Sequence, residues 1–472
     1  MMKNFKEKLQ NLWKNTDISE KIFLLAPIAI WFSYQPNIHI GRSDGMNLEF
    51  SITMIYIVIL ALFSVPKIYK NRDNLLKNKA VWLVFGFILW NLVSILWASN
   101  KSRAVLTSGV LGVLFIDFLA ILSFNLKKLS PYLIKIYIGS AVMMSIFALA
   151  QVIYGTWTDF GLCRGCIAQG FGFVRPSGFA IEPQFMGSLL IVPIIILFSR
   201  FVKKKSTKFD FLNLFLLLVA MYLTLSRGAI FALVIALILL VFFITKNFKQ
   251  AMIFNVAFLM NILLSSFLTG MIVHGVFTQL NPRVTDGFYD SISKSVNQMT
   301  LGRVSLPEIE DGQQEQATSE TNQETKDTIP EKASFDGYVE KSTDERTGLS
   351  DLAIKTWQKD PQTILFGVGI GGSGKAIFDY TKETVSEYEI VQNQYLETLL
   401  ENGIVGAVMF GLILIGFFIK TRHQKIAWAV LIAFIIQWNF FSGLPNALHI
   451  YLILATAFGI IVRAYEKRPS IN

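Results

Sequence analysis

Long apolar runs separated by short polar connections are the dominant pattern along this chain. A helix of roughly 17–25 apolar residues spans the ~30 Å hydrocarbon core of a membrane, and strands would show alternating polarity instead. The pattern therefore predicts an all-α, polytopic membrane protein of about twelve transmembrane helices. The predicted spans are 22–40, 49–66, 79–98, 104–124, 131–154, 178–199, 209–225, 227–245, 250–275, 403–420, 425–443 and 445–463.

Basic residues are concentrated in every second connection, which predicts the orientation of the spans. Short loops rich in Lys and Arg remain on the cytoplasmic side of a membrane. We therefore expect a multi-pass protein of the cell inner (cytoplasmic) membrane with both termini cytoplasmic. The basic clusters lie at 3–21, 67–79, 127–128, 200–208, 246–249, 420–425 and 463–468.

The predicted spans divide the chain into three parts. An N-terminal membrane bundle of about nine helices covers 1–275, and about three C-terminal helices cover 403–472. Between them, one large extracytoplasmic loop at 276–402 joins helices 9 and 10. Its stretch 306–345 is polar with few large apolar residues, so it is predicted to be disordered. The part from Leu349 to Leu400 regains aromatic and apolar residues and is expected to form short helices on the membrane surface.

Composition agrees with a membrane protein and restricts the partners. Apolar residues make up 53% of the chain and charged residues 16%, with a mean hydropathy of +0.49. The net charge is +10, but 22 acidic and 11 basic residues lie between 276 and 401. The positive charge is therefore concentrated in short loops, where it orients the helices. No nucleic-acid partner is expected, and no cleavable signal peptide is recognised at the N-terminus.

Three polar clusters converge on the predicted extracytoplasmic face. Arg175 and Glu182 flank the start of the sixth span, and Arg227 lies in a tight turn between two apolar runs. The third cluster combines Arg346, a glycine-rich segment at 367–372, and a helical segment. The candidate residues of that helical segment are Gln392, Asn393, Tyr395 and Glu401. Arginine forks bind phosphate oxygens, and carboxylates and amides orient sugar hydroxyls.

Each of these residues also has a purely structural interpretation. Arg227 could equally extend to the membrane interface, and the glycine-rich segment is more readily a flexible turn than a phosphate-binding loop. Tyr395 fits helix packing, while Glu397 and Glu401 share one helix face and could simply be solvated. No histidine has a second ligand at metal spacing, so no metal site is expected. The pair Cys163 and Cys166 is either a local disulfide or two free thiols.

In combination the motifs resemble the O-antigen ligase and O-antigen polymerase superfamily. The resemblance covers roughly residues 170–420 and rests on the order and spacing of the motifs. These are Leu223-Thr-Leu-Ser-Arg-Gly-Ala, Arg346 with Trp357, Phe366-Gly-Val-Gly-Ile-Gly, and Gln392-Asn-Gln-Tyr-Leu-Glu-(x3)-Glu-Asn-Gly.

The resemblance implies a metal-independent, cofactor-free glycosyltransferase of the membrane-embedded type, acting on the extracytoplasmic side. Its donor would be a glycan on a polyprenyl diphosphate. By resemblance, Arg227 and Arg346 engage the diphosphate, with Arg175 as a third candidate. Glu182 is the first candidate for the base that activates the acceptor hydroxyl, and Glu401 is the second. The expected partners are polyprenyl-diphosphate-linked oligosaccharides and membrane lipid, with chain-length regulator or flippase proteins as further candidates.

Two functional alternatives accompany the prediction of a polysaccharide polymerase. The ligase branch has a His-Asn pair where this chain has Gln392-Asn393, and an amide cannot act as a general base near neutral pH. This difference favours the polymerase over a ligase that passes glycan to a lipid or protein. A flippase for lipid-linked sugars is the second alternative, but the sequence has no clear internal repeat.

Overall fold

The computed structural model describes Lys14, residues 16–43, 46–157, 167–168, 174–245, 247–256, Met260, Leu264, 338–382, 386–442, Leu448 and 450–456. Side chains at 39–48, 154–157, 167–168, 174 and 338–345 are not described. Cys163, Cys166 and most of the predicted span at 250–275 lie outside these ranges.

Helices dominate the described residues. The helices that precede the large loop are α1 (Ile18–Phe23), α2 (Ala26–Ala29), α3 (Ile52–Lys70), α4 (Arg72–Leu76), α5 (Lys79–Ser94), α6 (Lys101–Ser123), α7 (Leu126–Trp157), α8 (Pro183–Val202), α9 (Lys208–Leu223) and α10 (Arg227–Ile244). The later helices are α11 (Tyr338–Trp357), α12 (Pro361–Phe366), α13 (Ser373–Thr381), α14 (Gln394–Thr421) and α15 (Lys425–Gln437). Polar N-cap side chains start several of them, because an oxygen there accepts a hydrogen bond from an otherwise unpaired N–H. These caps include Ser51, Asn78, Asn100, Thr207, Asp360 and Asn393.

Seven helices in the described part of the chain are long and apolar enough to cross a membrane. They lie at 52–70, 79–97, 101–123, 126–153, 183–202, 227–244 and 394–421. Helix α15 is apolar but shorter. The protein is therefore a predominantly helical, multi-pass membrane protein. The larger number of twelve spans and the placement of the loop stay predictions.

The first predicted span, 22–40, is not one continuous helix. The chain forms α1 and α2, separated by a turn at Leu24 and Leu25, and then leaves the helical conformation. The N–H groups of Tyr34 and Gln35 both donate to the carbonyl of Phe179, at 3.1 and 3.0 Å. This segment therefore bonds to the loop before α8 and does not continue the helix.

Two small antiparallel sheets lie in the connections. Strand β1 (Asn37–Ser43) pairs with β2 (Met46–Ser51), and the register has an irregularity between His39 and Gly41. Strand β3 (Ile167–Ala168) pairs with β4 (Val174–Arg175), which places Arg175 opposite Ile167. The second sheet leads the chain into the start of α8.

Helix α8 lies at the centre of the bundle. In its most apolar 18-residue window, 83% of the residues are buried, compared with 17% for α14. It packs against α7, α9, α10 and α15. The difference indicates that α8 contacts protein on all sides, whereas much of α14 faces outward.

The part of the large loop that the structure describes has a small core of its own. Ala353, Ile377, Val391 and Leu400 are buried together, and Trp357 packs against them. The expectation of short helices between 349 and 400 agrees with α12 and α13. Helix α11 begins at Tyr338, inside the range 306–345 that was predicted to be disordered, while 306–337 lie outside the described residues.

Candidate functional site

The turn between α9 and α10 contains Arg227 and is held by Arg175. Arg227 is the first residue of α10, directly after the N-cap Ser226. Arg175 is 7% exposed, and its guanidinium donates from Nε to the carbonyl of Thr224 at 2.8 Å and from Nη2 to that of Leu225 at 3.3 Å. The structure thus brings the first predicted cluster, which contains Arg175, into contact with the second, which contains Arg227.

Small residues allow the surrounding helices to approach this turn. A Cβ atom added to Gly187 in α8 would lie 3.0 Å from Cβ of Ala229 and 3.2 Å from Cβ of Ser226. A Cβ atom added to Gly228 would lie 2.6 Å from Cβ of Phe440, in the turn after α15. The starts of α8 and α10 therefore lie side by side at one end of the bundle, against the turn that follows α15.

Glu182 lies at the N-cap position of α8, and not one turn inside the helix as its apolar surroundings in the sequence indicated. The side-chain amide of Gln184 donates to Oε2 of Glu182 at 2.6 Å, and the residue is half-buried. Its position is five residues before Gly187, or about 7.5 Å along a helix axis. Glu182 is therefore located near the Arg227 turn.

Arg346 lies on a different element from the other candidate arginines. It is half-buried on α11, and its backbone carbonyl accepts a hydrogen bond from Oγ of Ser350 at 2.8 Å. Helix α11 packs against α13 and α14. Among the described contacts, Arg346 is thus associated with the loop helices and α14.

The Gln392-Asn393 pair marks the start of α14. Gln392 has a φ of +55°, and the side chain of Asn393 accepts hydrogen bonds from the N–H groups of Tyr395 and Leu396 at 3.1 and 3.2 Å. The Tyr395 hydroxyl donates to the carbonyl of Ile435 at 2.6 Å. These contacts give Asn393 a capping role and fix Tyr395 against α15.

Glu397 and Glu401 are buried, so the interpretation as a solvated helix face is wrong. They are 4% and 8% exposed, respectively. The hydroxyl of Ser373 donates to Oε1 of Glu397 at 3.3 Å, and the Ser373 N–H donates to Oε1 of Glu401 at 3.4 Å. Both glutamates line a cavity of about 60 Å³ that Arg103 also lines.

The glycine-rich segment is a turn that is bonded on both sides. The N–H groups of Val368 and Gly369 donate to the carbonyls of Leu400 and Glu401 at 2.9 Å, and Val368 accepts from the N–H of Ser99. A Cβ atom added to Gly369 would lie 2.4 Å from Cα of Ala98. The turn therefore connects the segment between α5 and α6 to the first half of α14.

Helix α13 follows this turn and carries Ser373 at its start. The ammonium of Lys375 lies 3.1 Å from a carboxylate oxygen of Asp379 and 3.5 Å from one of Glu387. The hydrogen bond that the Lys375 ammonium donates to Asp379 is the main reason that the pKa of Lys375 is raised above 10.5. These pairs connect α13 to the segment before α14 and so help to position Ser373.

Arg103 is a cavity residue that the sequence interpretation did not select. It lies in the first turn of α6, and its Nη1 donates to the carbonyl of Tyr388 at 3.2 Å. An arginine at the end of a span is usually interpreted as an interfacial residue. Because the carboxylates that line the same cavity occur about 300 residues later, sequence spacing carries no signal for this grouping.

The fold and the two polar sites define a multi-pass helical membrane protein with polar groups buried at one end of its bundle. Residues 212–411 match the model of a family described as O-antigen ligase, which confirms the predicted resemblance of this region to the O-antigen ligase and polymerase superfamily. The matched range includes the Arg227 turn, Arg346, the glycine-rich turn and both buried glutamates. Such a match implies a glycosyl-transferring enzyme in general. No curated protein matches the chain.

Proposed function

We propose that this protein is an extracytoplasmic polysaccharide polymerase of the inner membrane. It transfers a growing glycan from polyprenyl diphosphate onto the terminal sugar of a lipid-linked repeat unit. The observation that carries the proposal is the turn in which Arg175 bonds to the backbone directly before Arg227. The concentration of basic residues in every second connection supports cytoplasmic termini and an extracytoplasmic site.

The Arg227 turn has the electrostatic character that a diphosphate requires. Helices α8 and α10 both begin there, and the N-terminus of a helix carries a partial positive charge with unpaired N–H groups. The guanidinium groups of Arg227 and Arg175 add two full charges. Stabilising charge on a departing group is usually the largest single contribution to such transfers.

The candidate residues receive distinct roles in the transfer. The acceptor hydroxyl oxygen forms the new glycosidic bond as the bond from the donor sugar to the diphosphate breaks. Arg227 stabilises the departing diphosphate at the turn, and Arg346 is the candidate for a second contact from α11. Arg175 acts mainly as a positioning residue that holds the turn. Glu182, near the turn, accepts the proton of the acceptor hydroxyl, and Glu401 is the alternative base.

The segment at the start of α14 supports a polymerase over a ligase. Where ligases of the superfamily carry histidine, Gln392 offers an amide, which cannot take up a proton near neutral pH. The side chain of Asn393 already caps α14. A ligase that uses a histidine base therefore fits this chain less well.

Reconstitution tests the proposed function and its first catalytic assignment. The purified protein is incubated in vesicles with synthetic diphosphate-linked repeat units, without metal or nucleotide. We expect a ladder of lengthening lipid-linked glycans. Arg227→Ala is expected to slow its formation by ~100-fold or more, because removing a single charge-stabilising donor typically has an effect of that size.

Arg422→Ala is the matched control, because Arg422 is exposed and donates to the neighbouring His423. It should form the ladder at the wild-type rate. Full-length polymer from Arg227→Ala would overturn the diphosphate role. Transfer to an added lipid or protein without a ladder would identify a ligase, and movement of sugar-lipid across the bilayer without transfer would identify a flippase.

A further inference from the structure

The cavity beside the glycine-rich turn contains polar atoms that the described structure leaves without partners. Oδ1 of Asn402 is buried and accepts no hydrogen bond from the described residues, and Oε2 of Glu397 has no donor at full hydrogen-bond geometry, with the Ser442 hydroxyl as its neighbour. Both residues are only 4% exposed, and both line the cavity. A buried acceptor without a donor is unfavourable, because it has given up its hydrogen bonds to water. The cavity is therefore suited to a ligand that brings several hydrogen-bond donors.

Further polar residues in the lining indicate which groups of a ligand the cavity can bind. The hydroxyl of Tyr451 donates to Oε1 of Gln394 at 2.9 Å, and the amide of Gln394 donates to Oγ1 of Thr398 at 3.2 Å. These groups border the cavity together with Arg103 and the two glutamates. Planar amide, carboxylate and guanidinium groups around a partly open cavity are well suited to several hydroxyl groups that point in different directions.

The charged groups in the lining and the volume of the cavity restrict the class of ligand further. The cavity is lined by the carboxyl groups of Glu397 and Glu401 and by one guanidinium, that of Arg103, so it has no excess of positive charge to hold a diphosphate. A volume of about 60 Å³ holds several waters, since one water needs roughly 10–15 Å³ of such volume. Several waters together occupy about the space of one sugar ring. A neutral, hydroxyl-bearing sugar residue fits both conditions.

The cavity and the Arg227 turn lie on two sides of one short segment. Phe440 packs against Gly228, at the start of α10. Two residues earlier in the same segment, the carbonyl of Trp438 accepts a hydrogen bond from the N–H of Gln394 at 2.8 Å. The arginine turn and the cavity lined by carboxyl groups are thus separated by the segment 438–442.

We propose that the cavity lined by Arg103, Glu397, Glu401 and Asn402 binds a sugar residue of the acceptor glycan through its hydroxyl groups. This assignment rests on the proposed function. It divides the substrates by charge: the anionic donor group binds at the arginine turn, and the neutral acceptor sugar binds at the carboxylates.

Ligand binding to the full-length protein tests the assignment directly. The probe is the oligosaccharide released by mild acid from the lipid-linked repeat units of the native cells, observed by saturation-transfer NMR. Wild-type protein should bind it, and Glu397→Gln should weaken binding at least ten-fold. Asp351→Asn removes an exposed carboxylate of α11 that does not line the cavity, and this variant should bind like wild type.

The transfer assay separates failure of this assignment from failure of the proposed function. Glu397→Gln should raise the half-saturating acceptor concentration at least ten-fold and leave that of the donor unchanged. Transfer with unchanged acceptor saturation would overturn the sugar site while the enzyme assignment stands. If wild-type protein catalyses no transfer, the proposed function fails, and the NMR measurement still decides whether the cavity binds sugar.

Two further measurements cover the cases in which Glu397→Gln does not fold or the cavity binds an ion and not a sugar. Tyr451→Phe removes one cavity hydroxyl and keeps the ring, so it should weaken binding of the oligosaccharide probe, as Glu397→Gln does. It decides the assignment if Glu397→Gln does not fold. Sodium chloride and inorganic phosphate are titrated separately. Saturable binding of either ion that depends on Glu397, without binding of the oligosaccharide, would overturn the proposal.

Discussion

At the scale of single residues, the Arg227 turn depends on two glycines that have no side chain. Gly187 lets α8 reach Ser226 and Ala229, and Gly228 lets Phe440 pack directly on the backbone of α10. Ordinary side chains at these positions would separate the elements that meet at the turn. The position of Arg227 is therefore determined as much by its small neighbours as by its own side chain.

Gly228→Ala is expected to destabilise the protein. The added Cβ would lie 2.6 Å from Cβ and 2.7 Å from Cγ of Phe440, which are fixed near the backbone and cannot move away as a flexible chain end could. Overpacking of this kind costs about 1–3 kcal/mol. Thermal unfolding in detergent should occur at a lower temperature than in wild type. Gly109→Ala in α6 meets no atom within 4 Å and should unfold no earlier than wild type.

At the scale of elements, α14 consists of two segments with different tasks. Gly403 has a φ of +62° and interrupts the helical backbone between them. The segment before it carries Gln394, Glu397 and Glu401 on the side of the cavity. The segment after it is mostly outward-facing. One stretch that appears in the sequence as a loop followed by a span is thus a single bent element.

Gly403→Ala should perturb this bend. A non-glycine residue in the left-handed region costs about 1–2 kcal/mol, and the new Cβ would lie 2.3 Å from the carbonyl oxygen of Leu365. We expect a lower unfolding temperature and displacement of the glycine-rich turn. The matched control is Gly411→Ala in the same helix, where nothing lies within 4 Å. Equal unfolding temperatures for both variants would contradict the requirement for a bend.

At the scale of the whole molecule, contacts between distant segments hold the opposite end of the bundle. The ammonium of Lys67, at the end of α3, bonds to Asp17 and lies 2.6 Å from Oε1 of Glu20. The same Glu20 oxygen accepts a hydrogen bond from the N–H of Asn125 at 3.2 Å. One ion-pair cluster therefore connects the chain before α1, the end of α3 and the connection between α6 and α7.

The stability supplied by Asp17 should depend on pH. Partial burial raises the pKa of Asp17, but hydrogen bonds from Lys67, the Glu20 N–H and Ser19 outweigh it, so the pKa lies below 3.8. A lowered pKa in the folded state means that the contribution is present above about pH 4 and is lost as the pH falls further. Because Asp17 is half exposed, the effect is about 0–1 kcal/mol.

Thermal unfolding of Asp17→Asn measures this contribution. The variant should be slightly less stable than wild type at pH 7, and the difference should shrink below pH 4. The control is Asp73→Asn, because the Asp73 carboxylate is 84% exposed and lies 3.8 Å from Arg72. Its unfolding temperature should equal that of wild type at either pH. A difference for Asp17→Asn that grows on acidification would contradict the proposed ion pair.

The sequence was a good guide to local features and a poor one to long-range groupings. Apolar length predicted α5, α6, α8 and α10 within a few residues, and the helical spacing of Glu397 and Glu401 predicted one shared face. It did not predict that this face is buried, because the groups that cover it come from the starts of α6 and α13. The first span was also wrong as a continuous helix, since its end bonds to the distant Phe179.

The packing of the turn after α15 has a consequence for biosynthesis. The amide of Gln437 donates to the hydroxyl of Ser188 at 2.5 Å across 249 residues of chain, and Phe440 contacts the start of α10. At about 5–20 residues per second, a ribosome needs roughly 12 to 50 s to translate that interval. The central helix is thus inserted long before its last neighbour emerges. An unfinished chain can carry the arginines, but only the completed polypeptide assembles both sides of the site.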